Sequence, residues 1–355
     1  MGNEIWNKTW GGTLFDYGTH IMKDSSDNFF IVGKTNSFGD ANGDAFLVKF
    51  NNNFEELWNE TWGGNEIDIA NKVEKGSDGY LYVVGHSDSV DSHAGYSDVV
   101  LLKYDDDGNY QWERTWGTSY DQRGVSLALD SNDNIYITGY SFGHPSSSGK
   151  GYLLKYNSFG TYQWERIWGV NGVYGNYFYR IIIDDKDDLY ISGCTQTYGI
   201  PNNYDALLLN YDTSGNQNWY KIWMGSGFDA TPGICMDSQS NIYISGYSDT
   251  DSAGGYDALL IKYKNTLSPE ITILIPIILA SIGIGIIAFL SITIFLLRSK
   301  KSSRTSSTII SREKSQLDED VAYGSDQFKV CPFCRTQIKK THQFCTYCGA
   351  SLKNE

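Results

Sequence analysis

Trp6-Asn-Lys-Thr-Trp10 decides the fold, because its pair of tryptophans returns as Trp58/Trp62, Trp112/Trp116, Trp164/Trp168 and Trp219/Trp223, at spacings of 52, 54, 52 and 55 residues. One structural unit is therefore repeated five times. A unit of that length cannot bury its apolar face alone and must stack on its neighbours.

Around the tryptophans the units align further. An alternating aromatic and aliphatic stretch ending in glycine recurs as Asn28-Phe-Phe-Ile-Val-Gly33, Tyr80-Leu-Tyr-Val-Val-Gly85, Asn134-Ile-Tyr-Ile-Thr-Gly139, Asp188-Leu-Tyr-Ile-Ser-Gly193 and Asn241-Ile-Tyr-Ile-Ser-Gly246. A second stretch follows each, as in Asp44-Ala-Phe-Leu-Val-Lys-Phe50 and Asp205-Ala-Leu-Leu-Leu-Asn-Tyr211. Short β-branched and aromatic runs between Asp, Asn, Ser and Gly clusters predict strands, and residues 1–265 carry no long helical period. With a segment such as Val125-Ser-Leu-Ala-Leu-Asp130 ahead and the Trp strand behind, each unit holds four strands. Tandem four-stranded units predict an all-β fold, a β-propeller of five repeats.

The pattern resembles the SBBP and delta-60 type propeller repeats, which also run from a Trp-Gly-Gly segment through an Asp-x-x-Gly-Asn-x-Tyr-x-x-Gly strand pair to an Asp-Ala-x-x-x-Lys-Tyr strand. The resemblance covers residues 1–263 and implies fold rather than function. Unit four lacks the acid aligned at Asp16, Asp68, Asp121 and Asp229, and unit three has Lys150-Gly151 where the others have Asp.

With strands lettered A (inner) to D (outer), the chain opens on a lone D strand at residues 3–10 and closes on strands A to C ending at Tyr263. Pairing of the two ends would close a five-bladed ring without an exposed edge. The other reading is a part of a larger ring.

After the repeats, Ile271 to Leu297 runs 27 residues without a charge, enough at about 1.5 Å per residue to cross a hydrocarbon core of about 30 Å. This predicts one transmembrane helix. Arg298, Lys300, Lys301 and Arg304 follow it directly, so its C-terminal side is expected in the cytoplasm and the propeller, residues 1–265, outside. Of the chain's net charge of −14, residues 1–270 carry −19 and residues 271–355 carry +5. An acidic outer domain argues against a nucleic-acid partner. Met1-Gly-Asn-Glu-Ile-Trp6 has neither the basic nor the apolar region of a signal peptide, and this mismatch with export leads us to expect missing sequence upstream.

Residues 298–328 read as a flexible cytoplasmic linker. Within 329–355, Cys331-Pro-Phe-Cys334 and Cys345-Thr-Tyr-Cys348-Gly349 form two CxxC pairs ten residues apart. Four thiolates suit tetrahedral Zn²⁺, and a filled ligand set makes the ion structural, so a four-cysteine zinc ribbon is expected. Thiolates persist in a reducing cytosol, in keeping with the orientation. The ribbon could engage a cytosolic protein.

Cys194 and Cys235 sit at non-equivalent repeat positions, so no disulfide framework is expected. Gly139-Tyr-Ser-Phe-Gly143 matches a nucleophile elbow, but a strand-turn-helix context is lacking. The five histidines show no ligand spacing, and Asp105-Asp-Asp-Gly108 reads as a hairpin turn before a calcium loop.

The B–C loops (34–43, 86–97, 140–150, 194–204, 247–256) and D–A loops (11–17, 63–69, 117–123, 169–177, 224–230) vary most and share one face of a propeller. That face collects Tyr17, His93, Tyr96, Tyr120, His144, Tyr174, Tyr177, Tyr198, Tyr204 and Phe228, residues suited to a carbohydrate or a protein ligand. The expected protein is a membrane-anchored, single-pass surface propeller, not an enzyme, acting in recognition or adhesion above a cytoplasmic zinc ribbon. The alternatives are a receptor signalling through the ribbon and an extracellular carbohydrate-active hydrolase or lyase.

Overall fold

The computed structural model describes residues 2–90, 96–118, 120–142, 149–168, 175–196, 203–223, 225, 227–249, 255–264, 328–330 and 337–339. Residues 1–265 form one compact unit and 266–355 a second. Blade 1 is β1 (Asp16–Lys23), β2 (Phe29–Thr35), β3 (Asp44–Phe50) and β4 (Glu56–Trp62). Blade 2 is β5 (Asp68–Lys75), β6 (Leu81–Ser87), β7 (Asp98–Tyr104) and β8 (Tyr110–Trp116). Blade 3 is β9 (Gln122–Leu129), β10 (Ile135–Ser141), β11 (Lys150–Tyr156) and β12 (Tyr162–Trp168). Blade 4 is β13 (Asn176–Ile183), β14 (Leu189–Thr195), β15 (Asp205–Tyr211) and β16 (Gln217–Trp223), and blade 5 is β17 (Asp229–Met236), β18 (Ile242–Ser248) and β19 (Asp257–Tyr263). Every blade is an antiparallel meander, four-stranded except for the three-stranded fifth. The expected all-β repeat architecture is thus present.

The repeat glycines have a common cause. In all five blades the register between the first two strands slips beside the repeat glycine, a bulge on the first strand that brings a carbonyl close to that glycine. A Cβ on Gly33 would lie 2.0 Å from Tyr17 O, and on Gly193 2.1 Å from Tyr177 O. Only glycine fits that approach.

The core lies between blades. Phe30, Val32 and Leu47 of blade 1 pack with Val73, Val83 and Leu102 of blade 2, and Tyr82 and Val84 of blade 2 with Leu127 and Ile137 of blade 3. Lysines of the third strands reach the next blade: Lys49 Nζ donates to Asp106 Oδ2 at 2.7 Å, Lys103 Nζ to Ser158 O at 3.2 Å and Lys155 Nζ to Thr213 O at 2.9 Å. The tryptophans do the same on the outer strands, with Trp62 Nε1 donating to Glu113 and Trp116 Nε1 to Glu165.

Of the two expected arrangements, the closed five-bladed ring is corrected. Residues 3–10 form no strand, and β19 pairs only with β18 among the described residues. The segment instead lies on blade 1 as each outer strand lies on its following blade. Lys8 Nζ donates to Phe54 O at 2.6 Å, matching Arg114 Nε to Gly160 O and Arg166 Nε to Gly215 O. Trp6 stacks on Phe54 and Trp10 on Phe46, with centroids 3.4 and 4.3 Å apart. A cavity of about 290 Å³ lies between this segment and Ile31, Val48 and Phe50. At the other end β19 repeats the sequence pattern of fully buried β15, yet Leu260 is 71% exposed. The structure is an open arc of blades.

Cys235 faces this uncovered end and is exposed, whereas Cys194 is buried, and both are free thiols. In the second unit, β20 (Phe328–Val330) and β21 (Gln337–Lys339) form an antiparallel hairpin. The 271–297 segment, most of the linker and all four ribbon cysteines lie outside the described residues. No helix among the described residues is long and apolar enough to cross a membrane.

Candidate functional site

The first two strands of each blade set the level of the loop face. Tyr17 pairs with Lys34, Ile69 with His86, Arg123 with Tyr140, Tyr177 with Cys194 and Ala230 with Tyr247. These ten residues hold equivalent positions, so the backbone brings dissimilar side chains to one level. Two register steps deeper stand His20, Lys72, Ser126, Arg180 and, in blade 5, Gly233.

On blades 3 to 5 the aromatic residues join into one chain. Tyr140 meets Phe142 and Tyr177, each at 5.0 Å between centroids, and Tyr177 meets Tyr179 at 6.4 Å and Tyr204 at 5.7 Å. Tyr204 packs on Phe228 at 4.7 Å, Phe228 lies parallel to Tyr247 at 5.8 Å, and Tyr247 meets Tyr256 at 5.2 Å. Most of these rings are half-buried, and Tyr247 and Tyr256 are 36% and 60% exposed. Burial raises the phenol pKa of Tyr177, Tyr179 and Tyr247, which stay neutral hydroxyls.

Of the ten residues singled out from sequence, the structure brings together Tyr177, Tyr204 and Phe228. Tyr17 belongs to blade 1, beside Phe15 at 5.6 Å and on the wall of the cavity there. Tyr96 is 41% exposed and in no ring contact among the described residues, and Tyr120 lies between β8 and β9. His93, His144, Tyr174 and Tyr198 lie outside the described residues. Sequence reading passes over Tyr140, Phe142, Tyr179, Tyr247 and Tyr256. The signal is available for two of them, since Tyr140 and Tyr247 both follow the repeat glycine.

Arg123 is set into this cluster, its guanidinium 5.6 Å from the Phe142 ring centroid. Its Nε is buried without a hydrogen-bond partner. Beside it, burial and the Arg123 charge hold the His86 pKa down at about 4, so His86 is neutral. Asn71 Nδ2 lies 3.1 Å from His86 Nδ1 and donates to Gly124 O at 2.7 Å. The equivalent contact in blade 4 is Tyr179 Oη to Cys194 Sγ at 3.4 Å, and burial pushes that thiol up to about 12.

The acids at the strand starts are structural. Thr35 Oγ1 and Ser37 Oγ donate to Asp16 at 2.5 and 2.6 Å, and Gly12 N at 2.9 Å; against the effect of burial these bonds hold its pKa at about 2. Asp68 accepts from Gly64 N and Ser89 Oγ. The equivalent residue in blade 3 is Gln122, which pairs with Ser141, and not the aligned Asp121. In blade 4 it is Asn176, whose Oδ1 accepts from Thr195 at 2.7 Å. Between blades 4 and 5, burial pushes Asp205 up to about 6, with Asp229 adding to the shift. Asp105 Oδ1 accepts from Asp107 N and Asn109 N, an ordinary hairpin turn.

Residues 330–352 match the zinc-ribbon domain family. The repeats are similar to an uncharacterised WD repeat-containing protein of Acanthamoeba polyphaga mimivirus, at 23% identity over 51% of this chain. They are also similar to the regulatory protein FlaEY of Caulobacter vibrioides, at 26% identity over 59% of this chain. The chain spans 14% and 19% of the lengths of these two relatives. Among solved structures, an endo-arabinase from Bacteroides thetaiotaomicron aligns at 13% identity and TM-score 0.42, over 69% of this chain and 93% of that one. An exo-β-1,3-galactanase from Phanerochaete chrysosporium, solved with β-1,3-galactotriose, aligns at 15% and 0.42, over 68% and 58%. Drosophila plexin A in complex with semaphorin 1b aligns at 9% and 0.43, over 71% and 53%. At such identities the likeness speaks to fold alone.

One expectation is corrected. The expectation that the protein is not an enzyme rests on the lack of an acid–base pair recurring through the repeats. Solved chains similar to it include glycan-cleaving enzymes, and a catalytic set need not recur, since the repeats of one scaffold diverge independently, as Arg123, Tyr177 and Ala230 do here. The exclusion does not stand.

Proposed function

We propose that the propeller is a carbohydrate-active module of the hydrolase or lyase kind, whose loop face receives a glycan on the aromatic chain from Tyr140 to Tyr256. The observation that carries this reading is the continuity of those rings over three blades, half-exposed and rigidly backed by strands. Flat neutral rings stack on the C–H faces of sugars, and neutral phenols supply hydroxyl donors at their edges.

The proposed layout keeps the propeller (1–265) outside the cell, a single span at 271–297, a cytoplasmic linker at 298–328 and the zinc ribbon at 329–355. Cys331, Cys334, Cys345 and Cys348 would hold one structural Zn²⁺. The pairing of β20 with β21, strands that flank Cys331 and Cys334 in sequence, supports that assignment, and the bound ion would supply the folding energy of a domain with little core. A cytosolic protein is the proposed partner of the ribbon.

The test is turnover and binding by the full-length protein on a panel of neutral and acidic polysaccharides. Release of shorter saccharides, lost in Tyr177→Ala, supports the reading. Neither binding nor release across the panel sinks it.

A further inference from the structure

A buried guanidinium Nε–H without an acceptor is an unsatisfied donor, a costly arrangement in a folded protein even where the rest of the side chain is half-exposed. Arg123 is in that state on a domain of net charge −19, where an acidic partner would be easy to supply. It makes no hydrogen bond and no ion pair among the described residues, although Asp121 stands two positions away and accepts instead from Ser97 N at 3.0 Å. Arg180, next to Tyr179 on β13, likewise makes no hydrogen bond or ion pair among the described residues. It shares its deeper register level with His20 and with Lys72, whose Nζ pairs with Glu74 at 3.0 Å. The His20 Nδ1 atom is buried without a partner as well. On the inner strands, then, two guanidiniums stand unpaired among the described residues, Arg123 against the Phe142 ring and Arg180 two register steps deeper than Tyr177.

We infer that the glycan taken by this face is acidic, and that Arg123 is the specificity-determining residue that binds a sugar carboxylate while Tyr140, Phe142 and Tyr177 hold the ring beside it. The inference rests on the carbohydrate reading above. A guanidinium fits the chemistry because it presents parallel N–H donors to a planar carboxylate and stacks on an aromatic face at the same time. Arg180, two register steps deeper, places a second cation inward, so that a chain of several uronate units meets positive charge at two points.

Binding of an α-1,4-linked galacturonate oligosaccharide and of its methyl ester to the full-length protein tests this. The two probes share rings and linkages and differ in charge. The acid should bind roughly 10- to 100-fold more tightly than the ester, the worth of one charge-assisted hydrogen-bonded pair. Arg123→Gln should bring that ratio to about one with a melting temperature no lower than wild type's, and Arg123→Lys should keep part of it. Equal binding of acid and ester by wild type, or a ratio unchanged in Arg123→Gln, overturns the inference while leaving the carbohydrate reading intact, provided Tyr177→Ala still weakens both probes. Binding of neither probe overturns the inference also. If Tyr177→Ala and Tyr140→Ala change nothing, the carbohydrate reading itself fails. Sodium acetate at millimolar concentration should not displace the oligosaccharide; displacement would mark a small-anion site and overturn the claim of a glycan ligand.

Discussion

Replacing Lys103 by methionine removes the cation at the junction of blades 2 and 3. Lys103 is 7% exposed. Its Nζ donates to Asp78 Oδ2 at 2.9 Å, to Tyr82 Oη at 2.7 Å and to Ser158 O of the next blade at 3.2 Å, and it sits 4.0 Å from the centroid of Tyr80. Methionine fills a similar volume, so the packing term is small. Breaking a fully buried ion pair costs about 3–5 kcal/mol. The Asp78 side chain is 26% exposed and can recover some water, which lowers the expected loss to about 2–4 kcal/mol. At about 2–4 °C per kcal/mol for a domain of this size, the melting temperature should fall by about 4–16 °C. Differential scanning calorimetry of the full-length protein measures it. Lys262 is the control, since it holds the same strand position in blade 5, lies 4.9 Å from the Tyr243 centroid and reaches no following blade among the described residues. Lys262→Met should leave the melting temperature within experimental scatter. A Lys103→Met protein as stable as wild type, or a Lys262→Met protein equally destabilised, would refute the account of how blades are joined.

The acids give a pH signature of two signs. Asp205 has a folded pKa of about 6, above the unfolded value of about 3.9, so its contribution to stability is full below about pH 4 and is lost as pH rises through 6; Asp205→Asn should melt with wild type at pH 4 and above it at pH 8. Asp16, held at about 2, works the other way, and Asp16→Asn should destabilise at pH 7 and lose its effect as pH falls towards 2. In the ribbon, Cys345→Ser should abolish tight binding of one Zn²⁺ by the full-length protein, read by metal analysis after dialysis; retained stoichiometric zinc would contradict the four-cysteine site. Protease added to intact cells should digest the propeller and spare the ribbon, and a protected propeller would reverse the proposed orientation.

Much of the fold was legible because each blade repeats the same local instructions. The Trp pair, the glycine that admits a bulge carbonyl and the third-strand Asp-Ala-x-x-x-Lys-Tyr run recur with their partners at fixed offsets, so the four strands of a blade and their order followed directly. Ring closure did not, because pairing of residues 3–10 with β19 depends on where five stacked blades bring the two ends, a sum of small rotations that no local pattern records. The candidate site was legible only in part for a related reason. Tyr177, Tyr204 and Phe228 stood out as loop aromatics, whereas Tyr140 and Arg123, at the edges of the 140–150 and 117–123 loops, did not, because nothing in the local sequence shows what they meet. Their meeting depends on register across blades: Arg123 of β9 and Tyr177 of β13 occupy equivalent positions on inner strands more than fifty residues apart in sequence.

The most direct test of the carbohydrate-active reading is electrophoresis of the full-length protein through native gels cast with soluble polysaccharide. Wild type should be retarded in at least one acidic polysaccharide gel, and the Tyr140→Ala/Tyr177→Ala double variant, folded by its melting curve, should migrate there as it does in a gel without polysaccharide. Equal retardation of the double variant and wild type in every gel would contradict the claim that the aromatic chain on blades 3 to 5 is where the glycan is held.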